Sequence, residues 1–521
     1  HPDGALEAAL ARLQAAEFLY EASIFPDVQY TFKHALTHEV AYGSTLESRR
    51  RELHARIVEA IERIYAERLG EHVEPLARHA QRGHDWERAA RYLTQAGRRC
   101  AARSANPDAV AWYEQALEAL AELPETRERV AQRLDLLLEL RMVLTLVGDL
   151  GRAGAVVSEV QQRAHEIGDP LREARALAFM THLLSLGGDH SRAAAAGHRA
   201  IALASGPDGL DARVIARTYL AWVERNRGDY AAALEHCRVT REMLPGELAL
   251  ELFRSTTVPV ALANGIAALI LAEQGRMVEA EPLALEALDI ARRAEHPTTE
   301  CATLGMLCHL YTRWGRFDDA LSVGEEALEL LKGSATPFLA AWVKLFVGGA
   351  ISESGDVSRA LPMLIEARRV SLAIGIQATA LASAIMLGGA LMHAGDHEAA
   401  ERCALEALEG ARAGGVRGLE VWALRLLGDL YVARGPAGLD AARGHYDEAL
   451  ARAIETGSRL EAAHVRFGLG RLAAACGEQG DAQVHLGASI ADFQAFGLQA
   501  WPERATAAAA ALTLVPPAAP A

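Results

Sequence analysis

The run Tyr311-Thr312-Arg313-Trp314-Gly315-Arg316-Phe317-Asp318-Asp319-Ala320 reads as the end of one helix, a glycine-centred turn and the start of a second helix. A glycine there closes the first helix in the left-handed conformation without a Cβ penalty. Glycine followed five residues later by alanine recurs as Gly148/Ala153, Gly188/Ala193, Gly228/Ala233, Gly275/Ala280, Gly315/Ala320, Gly355/Ala360, Gly395/Ala400 and Gly477/Ala482. Gly435 begins a further copy, with one extra residue before Ala441. Successive glycines are 40, 40, 47, 40, 40, 40, 40 and 42 residues apart. A fixed period of this length signals a solenoid.

The residues around each glycine fit stacked hairpins. Asp149, Asp189, Asp229, Asp356 or Asp396 follows the glycine and is placed to cap the next helix. Seven residues before the glycine stands Thr181, Ala221, Ala268, Cys308, Gly348, Gly388, Gly428 or Gly470, which lets two helices approach closely. A third small residue, Ala200, Ala287, Ala327, Ala367 or Ala407, follows twelve residues after it. Forty residues accommodate two helices of roughly 15–17 residues with their turns. The pattern resembles the tetratricopeptide repeat (TPR), although the period exceeds the usual 34 residues. This lengthened form is similar to the sensor arms of maltose-regulator-type ATP-dependent transcription activators. A HEAT-like array has a comparable period, but the Gly-Asp turn and the small-residue register favour the TPR form. The resemblance implies an all-α, right-handed solenoid of at least nine hairpins. The expected organisation is a winged-helix-like junction over 1–65, the superhelix over 66–500 and a frayed Ala/Pro-rich tail over 501–521.

The N-terminal segment differs. Leu6 to Tyr20 has an amphipathic helical pattern; Ser23-Ile24-Phe25 and Val28 to Phe32 flank Pro26-Asp27 and predict a small hairpin. His34 to Tyr42 and Leu46 to Tyr65 then read as helices, an order that fits the end of a winged helix. Tyr30-Thr31-Phe32-Lys33-His34-Ala35-Leu36-Thr37-His38-Glu39-Val40-Ala41-Tyr42, with Arg49-Arg50 and Leu53-His54, resembles a specific junction. It is the segment that follows the ATPase module in bacterial class III nucleotidyl cyclase–AAA/STAND ATPase–TPR signalling proteins. Trp86 to Leu93 and Arg103 to Asn106 are also similar to that family. The resemblance covers nearly the whole chain but only the family's C-terminal part. It implies an ATPase and cyclase upstream of His1, and a chain that does not begin with Met is expected to be part of a longer protein.

Catalytic motifs are missing from the sequence. None of the three lysines, Lys33, Lys332 and Lys344, follows a glycine, so there is no phosphate-cradling Gly-Lys-Ser/Thr loop. There is no GxSxG, HExxH or EF-hand loop, and Gly468-Leu469-Gly470 lacks the third glycine of a dinucleotide fingerprint. The family's catalytic residues therefore map onto no position here, and no enzyme activity, cofactor or metal is expected. His34 and His38 have the i,i+4 spacing of metal ligands, but no third ligand accompanies them and a structural role in the junction is favoured. Arg49, Arg50, Arg51, Arg56, Arg63 and Arg68 could touch DNA; a solvated face, or one packed on an ATPase domain, is favoured. With 53 basic and 68 acidic residues the net charge is −15, without the basic footprint of a nucleic-acid binder. The six cysteines contain no CxxC pair and read as free thiols of a reducing cytoplasm. Ser371 to Gly395 carries no charged residue over a length that could cross a bilayer, yet it falls in the repeat register and is expected to be a buried solenoid segment.

Binding is expected on the inner face, formed by the first helix of each hairpin. Positions six, three and two before the turn glycine select Trp222, Arg225 and Asn226; His309, Thr312 and Arg313; Ser352 and Glu353; and Met392 and His393. Asp429 and Arg471 share the six-before position, with Arg425, Trp342 and Trp422 further back on the same face. The candidate site is thus Trp222, Arg225, Asn226, His309, Arg313, Glu353, His393, Arg425, Asp429 and Arg471. Aromatic and arginine side chains supply binding hot spots, and mixed charge points to a peptide, a protein segment or a small polar ligand. Arg225 and Arg313 are expected in the groove or in solvent, because an unpaired buried charge is costly. Trp342 and Trp422 fit core and groove equally. These features imply a non-catalytic sensor arm regulating an upstream ATPase/cyclase module. The sensor region of a maltose-type activator and a free-standing scaffold are the alternatives.

Overall fold

A computed structural model describes residues 3–23, 29–332 and 336–513. The chain divides into two compact units, residues 1–99 with 111–125, and residues 100–110 with 126–521.

The first unit contains α1 (Asp3–Ala15), an antiparallel pair β1 (Leu19–Ser23) and β2 (Gln29–Phe32), α2 (Ala35–Gly43) and α3 (Glu47–Ile64). Leu19 pairs with Phe32 and Glu21 with Tyr30; the expected turn at Pro26-Asp27 lies outside the described residues. Helix α4 (Val73–Arg82) and most of α5 (Trp86–Ala102) and α6 (Asn106–Ala121) also belong to this unit. The unit therefore extends beyond residue 65, because α3 is tied to the next helices. Tyr42 Oη lies 2.9 Å from His54 Nε2, and His54 Nδ1 lies 2.8 Å from His79 Nδ1. Arg88 and Arg91 both pair with Glu62. The arginines of α3 are largely engaged locally: Arg49 with Glu52, Arg51 with Glu47, and Arg50 over the Tyr42 ring.

The second unit is an all-α solenoid. Its described residues form nine hairpins: α7 (Arg127–Val147) with α8 (Leu150–Glu166), α9 (Pro170–Leu186) with α10 (His190–Leu203), and α11 (Leu210–Arg227) with α12 (Tyr230–Met243). Then come α13 (Pro259–Glu273) with α14 (Met277–Arg293), α15 (Pro297–Trp314) with α16 (Phe317–Leu331), and α17 (Pro337–Ser354) with α18 (Val357–Ala373). The last three are α19 (Gln377–His393) with α20 (His397–Gly414), α21 (Arg417–Ala433) with α22 (Leu439–Thr456), and α23 (Arg459–Ala475) with α24 (Gln479–Ala495). A further helix, α25 (Ala500–Thr513), occupies most of the stretch expected to fray, since Trp501 packs on the core; residues 514–521 lie outside the described ones.

The register has the predicted chemistry. Gly315 ends α15 with φ +81°, and Asp149, Asp189, Asp229, Asp356 and Asp396 each accept from the backbone N–H three residues on. A Cβ on Gly348 would stand 2.9 Å from the Leu364 side chain, so the small residue is what lets α17 and α18 approach. One copy is corrected: after Gly435 a single turn, Pro436–Gly438, shifts the buried alanine to Ala442, while Ala441 is exposed. The 47-residue spacing is also explained. Its extra residues lie between α12 and α13, where Phe253 and Arg254 take left-handed conformations at φ 48° and 59°. The uncharged stretch from Ser371 to Gly395 contains the whole of α19, and no described helix is long and apolar enough to cross a membrane.

The solenoid is wound tightly. Helices ten apart in order touch: α7 with α17, α11 with α21, and α13 with α23. Five hairpins thus complete a turn, and residues on one turn meet residues on the next.

Candidate functional site: two chambers on the inner face

The tight winding turns the expected open groove into two adjoining chambers within the second unit. The first has a volume of about 150 Å³ and the second about 330 Å³. His309, Phe346, Met386 and Trp422 line both.

The first chamber is largely aromatic. Trp222 of α11 meets Trp342 of α17 edge-on with centroids 5.9 Å apart, and Trp342 meets Phe346 at 5.2 Å. His309 lies 4.7 Å from Phe346 and 5.8 Å from Trp422. Trp342 and Trp422 are therefore both core and wall, which resolves their two readings. The polar edge comes from α9 and α11 and the loop before α13. Buried atoms there lack a hydrogen-bond partner: His182 Nδ1, Ser185 Oγ, Arg225 Nε, Asn226 Nδ2 and Thr257 Oγ1. Arg225 sits 5.2 Å over the Trp222 ring, half-buried and in no ion pair among the described residues. His182 stacks flat on Tyr219 at 4.0 Å, and burial, then the nearby Arg141, pushes it down to about 3. His309 is pushed far below the usual imidazole range by burial first and then by Arg313 and Arg225. Both imidazoles are therefore neutral at pH 7.

The second chamber is lined by charge. Arg425 donates to Glu461 at 3.0 Å and lies 3.5 Å from Asp429; Arg471 pairs with Asp429 at 3.4 Å and Arg504 with Glu353 at 3.7 Å. Tyr446 Oη donates to Asp429 at 2.8 Å. His393 is exposed at the rim. Arg313 departs from expectation: only 12% of its side chain is exposed, and it pairs with Glu461 and lies 3.9 Å from Glu273. Burial would raise the Glu461 carboxyl, but Arg313 and Arg425 outweigh it and hold it down at about 2. Glu273 moves the other way: burial raises it, with Glu461 adding to that against the pull of Arg313 and Arg225. Ser458 donates to Glu273 at 2.9 Å.

All ten candidate residues face this interior. Trp222, Arg225 and Asn226 line the first chamber, His309 the boundary, and Arg313, Glu353, His393, Arg425, Asp429 and Arg471 the second. The sequence reading missed Glu273, Glu461, His464, Trp501 and Arg504. Glu273 was within reach, standing two residues before Gly275 just as Asn226 stands two before Gly228. Glu461 sits at the start of α23, outside the register positions, and carries no local signal. His38, the other half of the candidate metal pair, packs between Phe32 and Tyr42. Burial pushes the thiols of Cys237, Cys301 and Cys308 up to about 12, so none is a poised nucleophile.

Residues 260–333 match the tetratricopeptide repeat family model. No curated protein sequence matches the chain. Among solved structures, a Rap protein complexed with competence and sporulation factor is similar over 70% of this chain and 99% of its own, with TM-score 0.52 and 12% identity. A STAND-type signal-transduction ATPase with a tetratricopeptide repeat sensor, from Pyrococcus horikoshii, is similar over 76% of this chain and 54% of its own, with TM-score 0.37 and 15% identity. The second unit is a TPR-like helical solenoid.

Proposed function

We propose that this chain is a non-catalytic, cytoplasmic TPR-like sensor and protein-interaction arm. It takes up a peptide, protein segment or small polar ligand on its inner face and regulates an upstream ATPase/cyclase module through its N-terminal segment. The observation carrying the reading is the first chamber, whose lining combines aromatic rings with unpartnered donors on Arg225 and Asn226. Buried donors without partners are rare in native proteins, and a concave apolar cavity with a few convergent polar groups is the ordinary form of a ligand site. The Rap protein, complexed with competence and sporulation factor, gives a precedent for a protein of this fold type binding a partner. The regulatory half of the reading rests on the junction resemblance. It is supported by Leu36, Val40 and Leu46, which stand exposed around α2 as an apolar surface suited to a neighbouring domain.

Affinity capture with the full chain and with Arg225→Ala, Trp222→Ala and Leu36→Asp variants tests both halves. Ligand capture lost in the two inner-face variants, and ATPase-domain capture lost in Leu36→Asp, is the expected result. Unchanged capture by all three stably folded variants refutes the reading.

A further inference from the structure

The first chamber carries an electrostatic imbalance that narrows its ligand. Its polar edge holds one guanidinium in no ion pair among the described residues, Arg225, and a second, Arg141, acts on the His182 ring of that edge without lining the chamber itself. Arg225 lines the chamber without an ion pair. Arg141, only 1% exposed, lies 3.5 Å over the Phe179 ring; it donates one hydrogen bond, to the Arg254 carbonyl, and its Nε and Nη1 have no partner. No carboxylate lies within ion-pair distance of either group among the described residues. A buried guanidinium normally has a carboxylate or phosphate against it, because desolvating an unpaired charge is costly. The chamber's own carboxyl, Glu273, is pulled by Arg225 without forming an ion pair with it; it accepts from Ser458 and lies 3.9 Å from Arg313.

The donors line one chamber. Arg225 Nε and Asn226 Nδ2 come from consecutive residues at the end of α11, and Asn226 is 94% buried with that nitrogen unpartnered. Ser185 Oγ, on the neighbouring α9, is a third unpartnered donor lining the chamber. The apolar part of the lining is aromatic: Trp342, Phe346 and Trp422. A volume of about 150 Å³ lies below the roughly 300–1,000 Å³ of sites that enclose drug-sized molecules. A phosphate dianion would ask for more cations than this lining supplies, and a neutral ligand would leave Arg225 with no anion in contact.

We infer that the first chamber binds a carboxylate monoanion carrying an aromatic body, with the carboxylate on Arg225 and Asn226 and the ring against Trp342 and Trp422. This rests on the inner-face reading above and specifies its ligand chemistry. The same chemistry is offered by a free aryl acid and by the C-terminal residue of a peptide ending in an aromatic amino acid.

The experiment is calorimetric titration of the full chain at pH 7 with indole-3-acetate, its neutral isostere indole-3-acetamide, and the peptide Gly-Gly-Trp with a free carboxylate. Saturable binding of the acid, at least about tenfold tighter than the amide, is expected, since bonds to a charged partner are the stronger ones. Arg225→Gln should erase that preference while Trp342→Leu weakens acid and amide alike; Arg471→Gln in the second chamber should change neither. Tighter binding of Gly-Gly-Trp than of indole-3-acetate assigns the carboxylate to a peptide end, and the reverse order to a free acid. Equal affinity for acid and amide overturns the carboxylate assignment. If that equal binding still needs Trp342, the inner-face reading survives it. Absence of saturable binding by acid and peptide below about 1 mM also overturns the assignment. The inner-face reading then falls as well only if the capture experiment is unaffected by Arg225→Ala and Trp222→Ala.

Discussion

Glu461→Gln tests the most connected polar contact in the solenoid. Glu461 is 1% exposed and is held by Arg313, 148 positions earlier in the chain, and by Arg425 from the adjacent hairpin. The substitution keeps the shape and removes the charge, leaving two arginines without their shared carboxylate. Breaking a buried pair by removing one partner costs about 3–5 kcal/mol. The titration gives a similar size: a carboxyl held at about 2 rather than 4.5 contributes about 3 kcal/mol, at about 1.4 kcal/mol for each tenfold in proton affinity. The folded carboxyl is the stronger acid. Its contribution is therefore complete above about pH 4.5 and is lost as pH falls through about 2. For a cooperative unit of about 400 residues, with an unfolding entropy near 2 cal/mol/K per residue, 3 kcal/mol lowers Tm by about 4 °C. Thermal melts of both proteins at pH 7 and at steps below pH 4 should show that gap and its closure. Glu273→Gln should do the opposite, leaving Tm unchanged or raised at pH 7, because burial disfavours that charge. A Glu461→Gln gap under about 1 °C at pH 7, or one that persists unchanged below about pH 3, would refute the assignment of this contact as a net stabiliser.

Gly315→Val places a β-branched residue at φ +81° with its Cβ 3.0 Å from the Ala500 backbone nitrogen, and should cost at least about 2 kcal/mol in a chemical melt. Arg225→Ala removes a half-buried side chain with no ion pair, so Tm should move by less than about 1 °C. Arg313→Ala should instead melt several degrees lower, because it removes the closer of Glu461's two partners. With no glycine before any lysine, purified chain incubated with ATP or GTP and Mg²⁺ or Mn²⁺ should turn over no faster than buffer; activity that survives further chromatography would contradict this.

The solenoid was legible because its determinants are local. A glycine at φ > 0, an aspartate three residues before the N–H it caps, and a small residue where two helices touch each leave a mark at a fixed offset. The mark at Gly435 was misread by one position because an inserted turn moves the buried alanine to Ala442 while preserving the glycine. The same locality found all ten inner-face candidates, since the face a residue occupies follows from its distance to the turn. It could not tell which of them are free. Arg225 stands three residues before its glycine and Arg313 two before its own, and neither position marks one as unpaired and the other as buried against Glu461.

That difference arises from the pitch of the superhelix. Pitch accumulates from small rotations between neighbouring repeats, and no residue encodes it alone. Here five hairpins close a turn, so Glu273 meets Ser458 across 185 residues, and the Trp314 indole donates to the Gly497 carbonyl at 2.7 Å across 183. A looser pitch with the same sequence register would leave these groups facing an open groove. At this pitch much of the inner face of one turn is satisfied by the next, but buried atoms without a partner remain in both chambers: Arg313 Nε, His464 Nε2 and Trp501 Nε1 in the second, and the polar-edge atoms in the first. The second chamber's arginines are spent on carboxylates of the same chain, whereas Arg225 and Asn226 are not. What sets the first chamber apart is a lining guanidinium in no ion pair among the described residues, which is why that chamber, smaller and less charged than the second, is the stronger candidate for the proposed ligand.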